Sequence, residues 1–559
     1  MKYINVIANS GELVKKLKIE YKGQKTYEEL IKGYEDEFNG TVILAKSGNH
    51  LHELLDKLDD NSSEVEYLDT GDVDGNRVYM RTLSYVFIRA MEKVMPNCRV
   101  IVEHTISDGL YCTIREGEKI IQLDSHLRDQ LKASMRDLIE RDLPIEKLEL
   151  YTNEAVEIFE KMGRKDKADL LKYRKRDKVS LYKLDGLVDH FYGHMAPSTS
   201  YVKTFDLELF NYGIVLIGQE PSDKNTIRRF VPNYKLSQAY NEAENWAYMQ
   251  GVTDVSTLNS LVENGSIGEV CRMYEALQQN KIMQIAEQIK SNNKRIILIA
   301  APSSSGKTSF AYKLTTSLRV IGLRPISISL DDYFVDRKDT PLDKDGNYDF
   351  ESVEALDLKR FNQDLNKLMR GEEIEKIKFD FIDGKRIYTG QSLKVEAANP
   401  VIIEGIHGLN PIVTSHISDD YKYKIYLSVI TQINLDGHNR VPTTDLRLLR
   451  RMARDKFTRG KDVSRTIMEW PNVRRGENRN IFPYQEEADA IFNSSFAFDI
   501  SAIKPIVIDD LENIKDDNPA YIEAARLRSF LQYFDSIEDN SDIVNTSILR
   551  EFIGGSKIV

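Results

Sequence analysis

The run Ala301-Pro302-Ser303-Ser304-Ser305-Gly306-Lys307-Thr308 holds the residue types that a phosphate cradle needs. It follows an apolar stretch, residues 295–300 (RIILIA), and opens a helix-like stretch over 309–318. Backbone N–H groups of a tight loop can surround phosphate oxygens, and a helix N-terminus adds positive potential. Lys307 would reach the β- and γ-phosphates, and the Thr308 hydroxyl would ligate Mg²⁺, with waters completing the octahedron. The expected cofactors are therefore ATP and Mg²⁺, with Ser303, Ser304, Ser305, Gly306, Lys307, Thr308 and Ser309 forming the cradle. Ala301 stands where such loops usually begin with glycine. A methyl group is tolerable there if the backbone stays at negative φ.

Three further groups could serve transfer of a phosphoryl group. Asp331, Asp332, Tyr333 and Phe334 follow a strand-like stretch, residues 325–330 (PISISL). An acceptor hydroxyl must lose its proton as it attacks, and a positioned carboxylate can take it. Asp331 is the expected base. Glu404 ends residues 400–404 (PVIIE), where an acid can hold a water of Mg²⁺. A basic helix and loop supply Arg447, Arg450, Arg451, Arg454, Arg459 and Lys461. Arginines can close on the charge that spreads over equatorial oxygens in the transition state. Helical spacing puts Arg447, Arg451 and Arg454 on one face, with Arg450 able to join them.

These groups need a frame. Strand-like runs alternate with helices from residue 293 to about 512, which implies a doubly wound parallel sheet. Neighbouring strand ends then share one crevice. Ahead of it lie a small α+β unit (1–62), a larger α+β region (63–225) and a helical connector (226–292). A mostly helical extension (513–559) closes the chain. The expected fold class is multidomain, α/β and α+β.

A chain of 559 residues is too long for one ordinary core. With 41% hydrophobic and 30% charged residues it reads as globular rather than disordered. No run reaches the ~18 apolar residues of a membrane span, and the N-terminus lacks a secretory signal pattern. Cys98, Cys112 and Cys271 fit neither a disulfide framework nor a zinc motif. A cytoplasmic home with no membrane partner is the expectation. A net charge of −11 argues against extended nucleic-acid-binding surface. One local basic cluster exists: Lys172, Arg174, Lys175, Arg176 and Lys178.

Residues 293–510 resemble the uridine kinase and phosphoribulokinase family. Ser305-Gly306-Lys307-Thr308 is similar to its phosphate loop, and Asp331-Asp332-Tyr333-Phe334 to the segment that supplies its base. Phe379-Asp380-Phe381 with Arg386 looks like its nucleoside-lining segment, and Tyr348-Asp349-Phe350-Glu351 like its ribose-side stretch. Glu404-Gly405-Ile406 matches the end of a family strand. Arg450-Arg451-Met452-Ala453-Arg454-Asp455 and Arg459-Gly460-Lys461-Asp462 resemble its lid. The resemblance implies Lys307, Asp331 and Arg454 as catalytic. It implies Tyr333, Phe334, Glu351, Phe379, Arg386, Arg451, Arg459 and Lys461 as substrate-facing, and Thr308 and Glu404 as Mg²⁺-holding. Gly384 stands where the family places a base-reading histidine, and Lys461 where it has a second lid arginine. Kinases of this kind often form homo-oligomers.

The N-terminal half resembles threonyl-tRNA synthetases. Residues 1–62 look like their TGS domain, through residues 41–46 (TVILAK) and 51–54 (LHEL). Residues 63–225 look like their second additional domain, through 103–111 (EHTISDGLY) and 154–163 (EAVEIFEKMG). In that domain a His-x-x-x-His pair and a later Cys-x-x-x-His pair edit mischarged tRNA. Arg81 and Tyr85 align with the first pair, His190 and His194 with the second. Two histidines on adjacent helical turns could bind a metal, with His104 as a third ligand, or could be structural or contact a ligand.

Two functions fit these residues. One is ATP-dependent transfer of a phosphoryl group to a hydroxyl of a uridine- or cytidine-like nucleoside or a related small molecule. The other is a nucleotide-gated regulator that contacts RNA or tRNA through the N-terminal half.

Overall fold

The computed structural model describes residues 2–11, 13–59, 62–342, 346, 348–380, 383–396 and 398–558. Phe381 lies outside the described residues. The strands of the C-terminal sheet are β1 (Ile296–Ala300), β2 (Ile326–Ser329), β3 (Val401–Glu404), β4 (Lys422–Ser428) and β5 (Ala490–Asn493). They run parallel in the order β2-β3-β1-β4-β5. Alternate side chains of β1 enter different cores. Ile297 and Ile299 join one, while Ile296 and Leu298 join the other. A sheet covered on both faces needs uninterrupted apolar strands, which is why these runs show no polar alternation.

The chain leaves β1 through the cradle into helix α1 (Lys307–Val320) and then forms β2. β3 returns between them, and β4 lies on the far side of β1. The order therefore reverses beside β1, and a crevice opens at the strand ends there. Helices α2 (Thr443–Arg459) and α3 (Val463–Asn480) lie between β4 and β5 in the chain. Helix α4 (Asp499–Asn513) follows β5. A hairpin of Ile374–Asp380 and Lys385–Leu393, which strand–helix alternation does not announce, pairs Phe379 with Arg386.

The first half is built from smaller sheets. Five strands between residues 2 and 68 form the first. An antiparallel sheet carries Arg99–Ile106 and Gly109–Glu116, with the long helix Val73–Val94 packed on it. A three-stranded antiparallel sheet joins Glu146–Tyr151, Lys178–Leu184 and Leu187–His190. Three helices, Tyr234–Met249, Val255–Glu263 and Ile267–Ser291, lead to β1. No described helix is long and apolar enough to cross a membrane.

The two halves meet through buried charge. Lys167 Nζ lies 2.7 Å from Asp189 and 3.0 Å from Asp436, and His438 Nδ1 lies 2.5 Å from Asp189. Lys167 and Asp189 belong to the first half, Asp436 and His438 to the second.

One expectation is corrected. Residues 513–559 are not mostly helical: among the described residues, only α5 (Tyr521–Leu531) and the short α6 (Arg550–Ile553) form after α4. The intervening stretch is rich in Asp, Asn and Ser, whose side chains compete for backbone groups. Asp539 accepts from the Ser541 N–H at 2.9 Å, and Arg550 donates to the Asn540 and Ile543 carbonyls at 2.7 and 2.6 Å.

Candidate active site

The phosphate loop is curled by two left-handed residues, Ser304 (φ 62°) and Gly306 (φ 77°). Ala301 is fully buried and is not among the positive-φ residues, so its methyl group costs nothing there. The hydroxyls of Ser304 and Ser305 are buried with no partner among the described residues. Lys307, at the first turn of α1, makes no ion pair among the described residues. Orphaned donors and an unneutralised ammonium at a helix N-terminus fit a polyphosphate.

The loop forms one wall of a cavity of about 310 Å³. Asp331, in the short turn after β2, Glu404, at the end of β3, and Glu351 also line it. Burial pushes the Asp331 carboxyl up to about 6; Lys307 opposes this, and the nearby Glu404 and Asp332 reinforce it. Burial, with Glu477 nearby, pushes Glu351 up to about 7. Glu351 fits because α3 presents Gly476: a Cβ there would lie 2.7 Å from Glu351 Cγ. Asp332 turns elsewhere and accepts the Phe379 N–H at 3.3 Å.

Arginines from α2 close the third side. Arg451 Nη1 donates to Ser303 Oγ at 2.7 Å, and Arg447 Nε to the Ser303 carbonyl at 3.0 Å. Arg454 and Arg459 line the cavity with Arg451. Asp455, fully buried, lies 3.5, 3.5 and 3.4 Å from Arg451, Arg454 and Arg459 and gathers the three. Burial lowers the Arg454 pKa, and Arg459 beside it adds to the effect. Arg450 does not join them. It points into the core, where Nη2 meets Asp499 at 2.6 Å and the Ser494 carbonyl at 2.9 Å. Its place on the helix circumference fits either side, and the buried Asp499 decides it.

Thr308 is exposed on the cavity, and with Glu404 it offers hard oxygen ligands of the kind Mg²⁺ takes. Several other residues named from the sequence lie away from the cavity. Ser309 donates its hydroxyl to Glu551 at 2.7 Å. Tyr333 is buried and donates to Asp364 at 3.2 Å. Phe334 packs against Phe350 and Phe379. Arg386 meets Asp357 at 3.0 Å, and Lys461 meets Glu469 at 2.5 Å. Gly384 serves the hairpin turn at φ 66°, where a Cβ would lie 2.7 Å from Arg337 Nε.

Two acids were not anticipated. Glu477 of α3 accepts the Ser303 N–H at 2.9 Å and pairs with Arg447 and Arg474. Glu551 of α6 also lines the cavity. The i,i+3 spacing of Arg474 and Glu477 was a usable signal for the first. Nothing local marks the second.

His190 and His194 each contact protein groups. His190 ends a strand rather than lying in a helix, so the spacing on adjacent helical turns does not arise. Its Nε2 lies 3.1 Å from the Tyr533 hydroxyl, while His194 lies 3.8 Å from Glu53. His104 stacks on Tyr240 instead. No group of three or more His, Cys, Asp or Glu side chains among the described residues could hold a metal ion.

Residues 296–501 match the Phosphoribulokinase / Uridine kinase family. A uridine kinase of Lactobacillus helveticus is 27% identical over 35% of this chain and 84% of its own length. The N-terminal region is similar to threonine–tRNA ligases. That of Carboxydothermus hydrogenoformans is 27% identical over 30% of this chain. The chain spans only 26% of that ligase's length. A solved structure described as a possible uridine kinase from Bacillus stearothermophilus is 14% identical, with a TM-score of 0.27, over 39% of this chain and 100% of that one.

Proposed function

Given a C-terminal domain of the phosphoribulokinase/uridine kinase family, we propose that the chain transfers the γ-phosphoryl group of ATP to a hydroxyl of a small, nucleoside-like acceptor. One observation carries this: Asp331, Glu404, Lys307 and three arginines converge on a single cavity beside orphaned phosphate-loop hydroxyls.

In this reading Asp331 accepts the proton of the attacking hydroxyl. The acceptor oxygen bonds to the γ-phosphorus as the bond to the β,γ-bridging oxygen breaks, leaving ADP and a phosphomonoester. An acid raised to about 6 is ionised at neutral pH, yet basic enough to take the proton. Lys307 reaches the β- and γ-phosphates. Arg451, Arg454 and Arg459 face the equatorial oxygens, held by Asp455. Bound Mg²⁺, held through Thr308 and Glu404, would supply charge neutralisation at the phosphates. Glu351 is the acceptor-side carboxylate, suited to a sugar hydroxyl.

A uridine- or cytidine-like acceptor is the finer reading, supported by similarity to uridine kinases. The RNA-binding alternative has weaker support, because three members of the basic cluster are already engaged within the chain. Lys172 pairs with Glu160 and Asp169, Lys178 lies over Tyr151, and Arg174 contacts Tyr533.

The test is ADP release from Mg-ATP with a panel of uridine, cytidine, other nucleosides, ribose and ribulose 5-phosphate. Acceptor-dependent release that disappears in Asp331→Asn supports the proposal. Silence across the panel, with ATP still bound, overturns it.

A further inference from the structure

A second cavity, of about 420 Å³, shares no lining residue with the phosphate-loop cavity. Its walls are the helix Val73–Val94, the three-stranded sheet of the first half, the loop after His190 and helix α5 near the C-terminus. It is strongly cationic. Five arginines (Arg77, Arg81, Arg174, Arg176 and Arg526) and Lys147 line it, against one acid, Asp74.

Half of these cations are already neutralised. Arg77 meets Asp74 and Glu523 at 2.8 and 3.2 Å. Arg526 holds Asp445 through two hydrogen bonds of 2.7 and 2.9 Å. Lys147 lies 3.4 Å from Glu53. Arg81, Arg174 and Arg176 make no ion pair among the described residues. Arg81 donates only to a carbonyl, that of His194, at 2.7 Å. Burial lowers its pKa; Tyr192 and Tyr182 oppose this, and the positive charges of Arg77 and Arg526 add to it. Arg81 and Arg174 are half-buried and Arg176 is exposed; a partly desolvated guanidinium without a counter-charge marks a place for an anion.

The position of Arg81 is set by its surroundings. Its guanidinium lies against Gly193, where a Cβ would come 2.6 Å from Cζ. Only glycine lets it occupy that spot. Around the cations stand aromatic rings, including Tyr182, Phe191, Tyr521 and Tyr533. Guanidinium forks match phosphate oxygens in pairs, and flat rings suit a planar body. The volume is that of a small-molecule site.

We propose that this cavity binds a small phosphomonoester with a planar body, its phosphate held by Arg81, Arg174 and Arg176. The site is separate from the phosphate loop, and its test does not depend on phosphoryl transfer.

The experiment uses the full chain carrying Lys307→Ala, which weakens the phosphate-loop site. Binding of UMP and of inorganic phosphate is measured by calorimetry and by thermal shift. UMP is expected to bind more tightly than inorganic phosphate and to raise the Tm. Adding Arg81→Met is expected to weaken UMP at least tenfold, and Gly193→Ala, which displaces the guanidinium, to weaken it severalfold. Arg81→Met also removes a half-buried cation that has no ion pair among the described residues, so the unliganded Tm should hold or rise. A fall in that Tm with unchanged UMP affinity would make Arg81 structural and overturn the proposal. So would UMP binding that vanishes with Lys307→Ala alone, or binding of an RNA oligonucleotide without binding of UMP.

Discussion

Ser309 Oγ donates to Glu551 Oε2 at 2.7 Å, so the short last helix of the chain places a carboxylate beside the phosphate loop. Glu551 lines the same cavity as Lys307 and Arg454. Glu551→Gln keeps a hydrogen-bond acceptor for Ser309 but removes a negative charge near the bound polyphosphate. The expected result is a tighter complex with Mg-ATP, by roughly three- to tenfold, read by calorimetry at low salt. Unchanged or weaker binding would rule out a repulsive role for this carboxylate.

Asp331→Asn should lower kcat by about 10²- to 10⁴-fold and leave nucleotide binding nearly intact. The wild-type profile carries the sign of its pKa. The working form of Asp331 is ionised, and its pKa is about 6, so kcat/KM should hold above that pH and fall tenfold per unit below it. Glu351, raised to about 7, titrates in the same cavity, and Lys307, Glu404, Asp332 and Arg459 also face Asp331. A Glu351→Gln variant separates the two carboxyls: a fall that stays near pH 6 belongs to Asp331.

Neighbouring arginines of α2 should behave differently. Arg450 is fully buried on Asp499, and its guanidinium lies 4.7 Å from the Phe552 ring. Arg450→Met should cost about 3–5 kcal/mol in urea unfolding, because it strands a buried carboxylate. Arg454→Ala should leave stability within about 1 kcal/mol. Its loss should appear in kcat, on the order of 10²-fold or more. Equal stability losses in both would contradict the assignment of the two faces.

Gly306→Ala should damage the loop twice over. The residue sits at φ 77°, and a Cβ there would lie 2.4 Å from Ile548 Cγ2. Left-handed strain alone costs about 1–3 kcal/mol. The variant should show a lower Tm and no measurable Mg-ATP binding, both read in one thermal-shift titration.

The cavity wall around the phosphate loop was legible in the sequence for a local reason. Ser303 to Thr308 must be contiguous to wrap phosphate, and Asp331 and Glu404 each end an apolar strand of one parallel sheet. What α2 contributes was half legible: periodicity put Arg451 and Arg454 together but could not say that Asp499 would take Arg450. Glu477 and Glu551 were hidden because tertiary folding brings them in from α3 and from the C-terminal helix. Lys461, Tyr333 and Arg386 were expected through family likeness, yet each has found a neighbour elsewhere. His190 and His194 fall at a strand end and in the loop after it, so the helical turns that their spacing suggests do not form.

Lys167 and Asp436 have a consequence for how such a chain is inherited. The ammonium comes from the first half and the carboxylate from the second, 3.0 Å apart and both fully buried. His438, also from the second half, reaches back to Asp189 in the first. A reading frame broken between the halves would encode two pieces, each with charged groups shaped for a surface it no longer has. Separated, Lys167 would keep Asp189 but lose Asp436, so each half alone should present at this seam polar groups that only the other half satisfies.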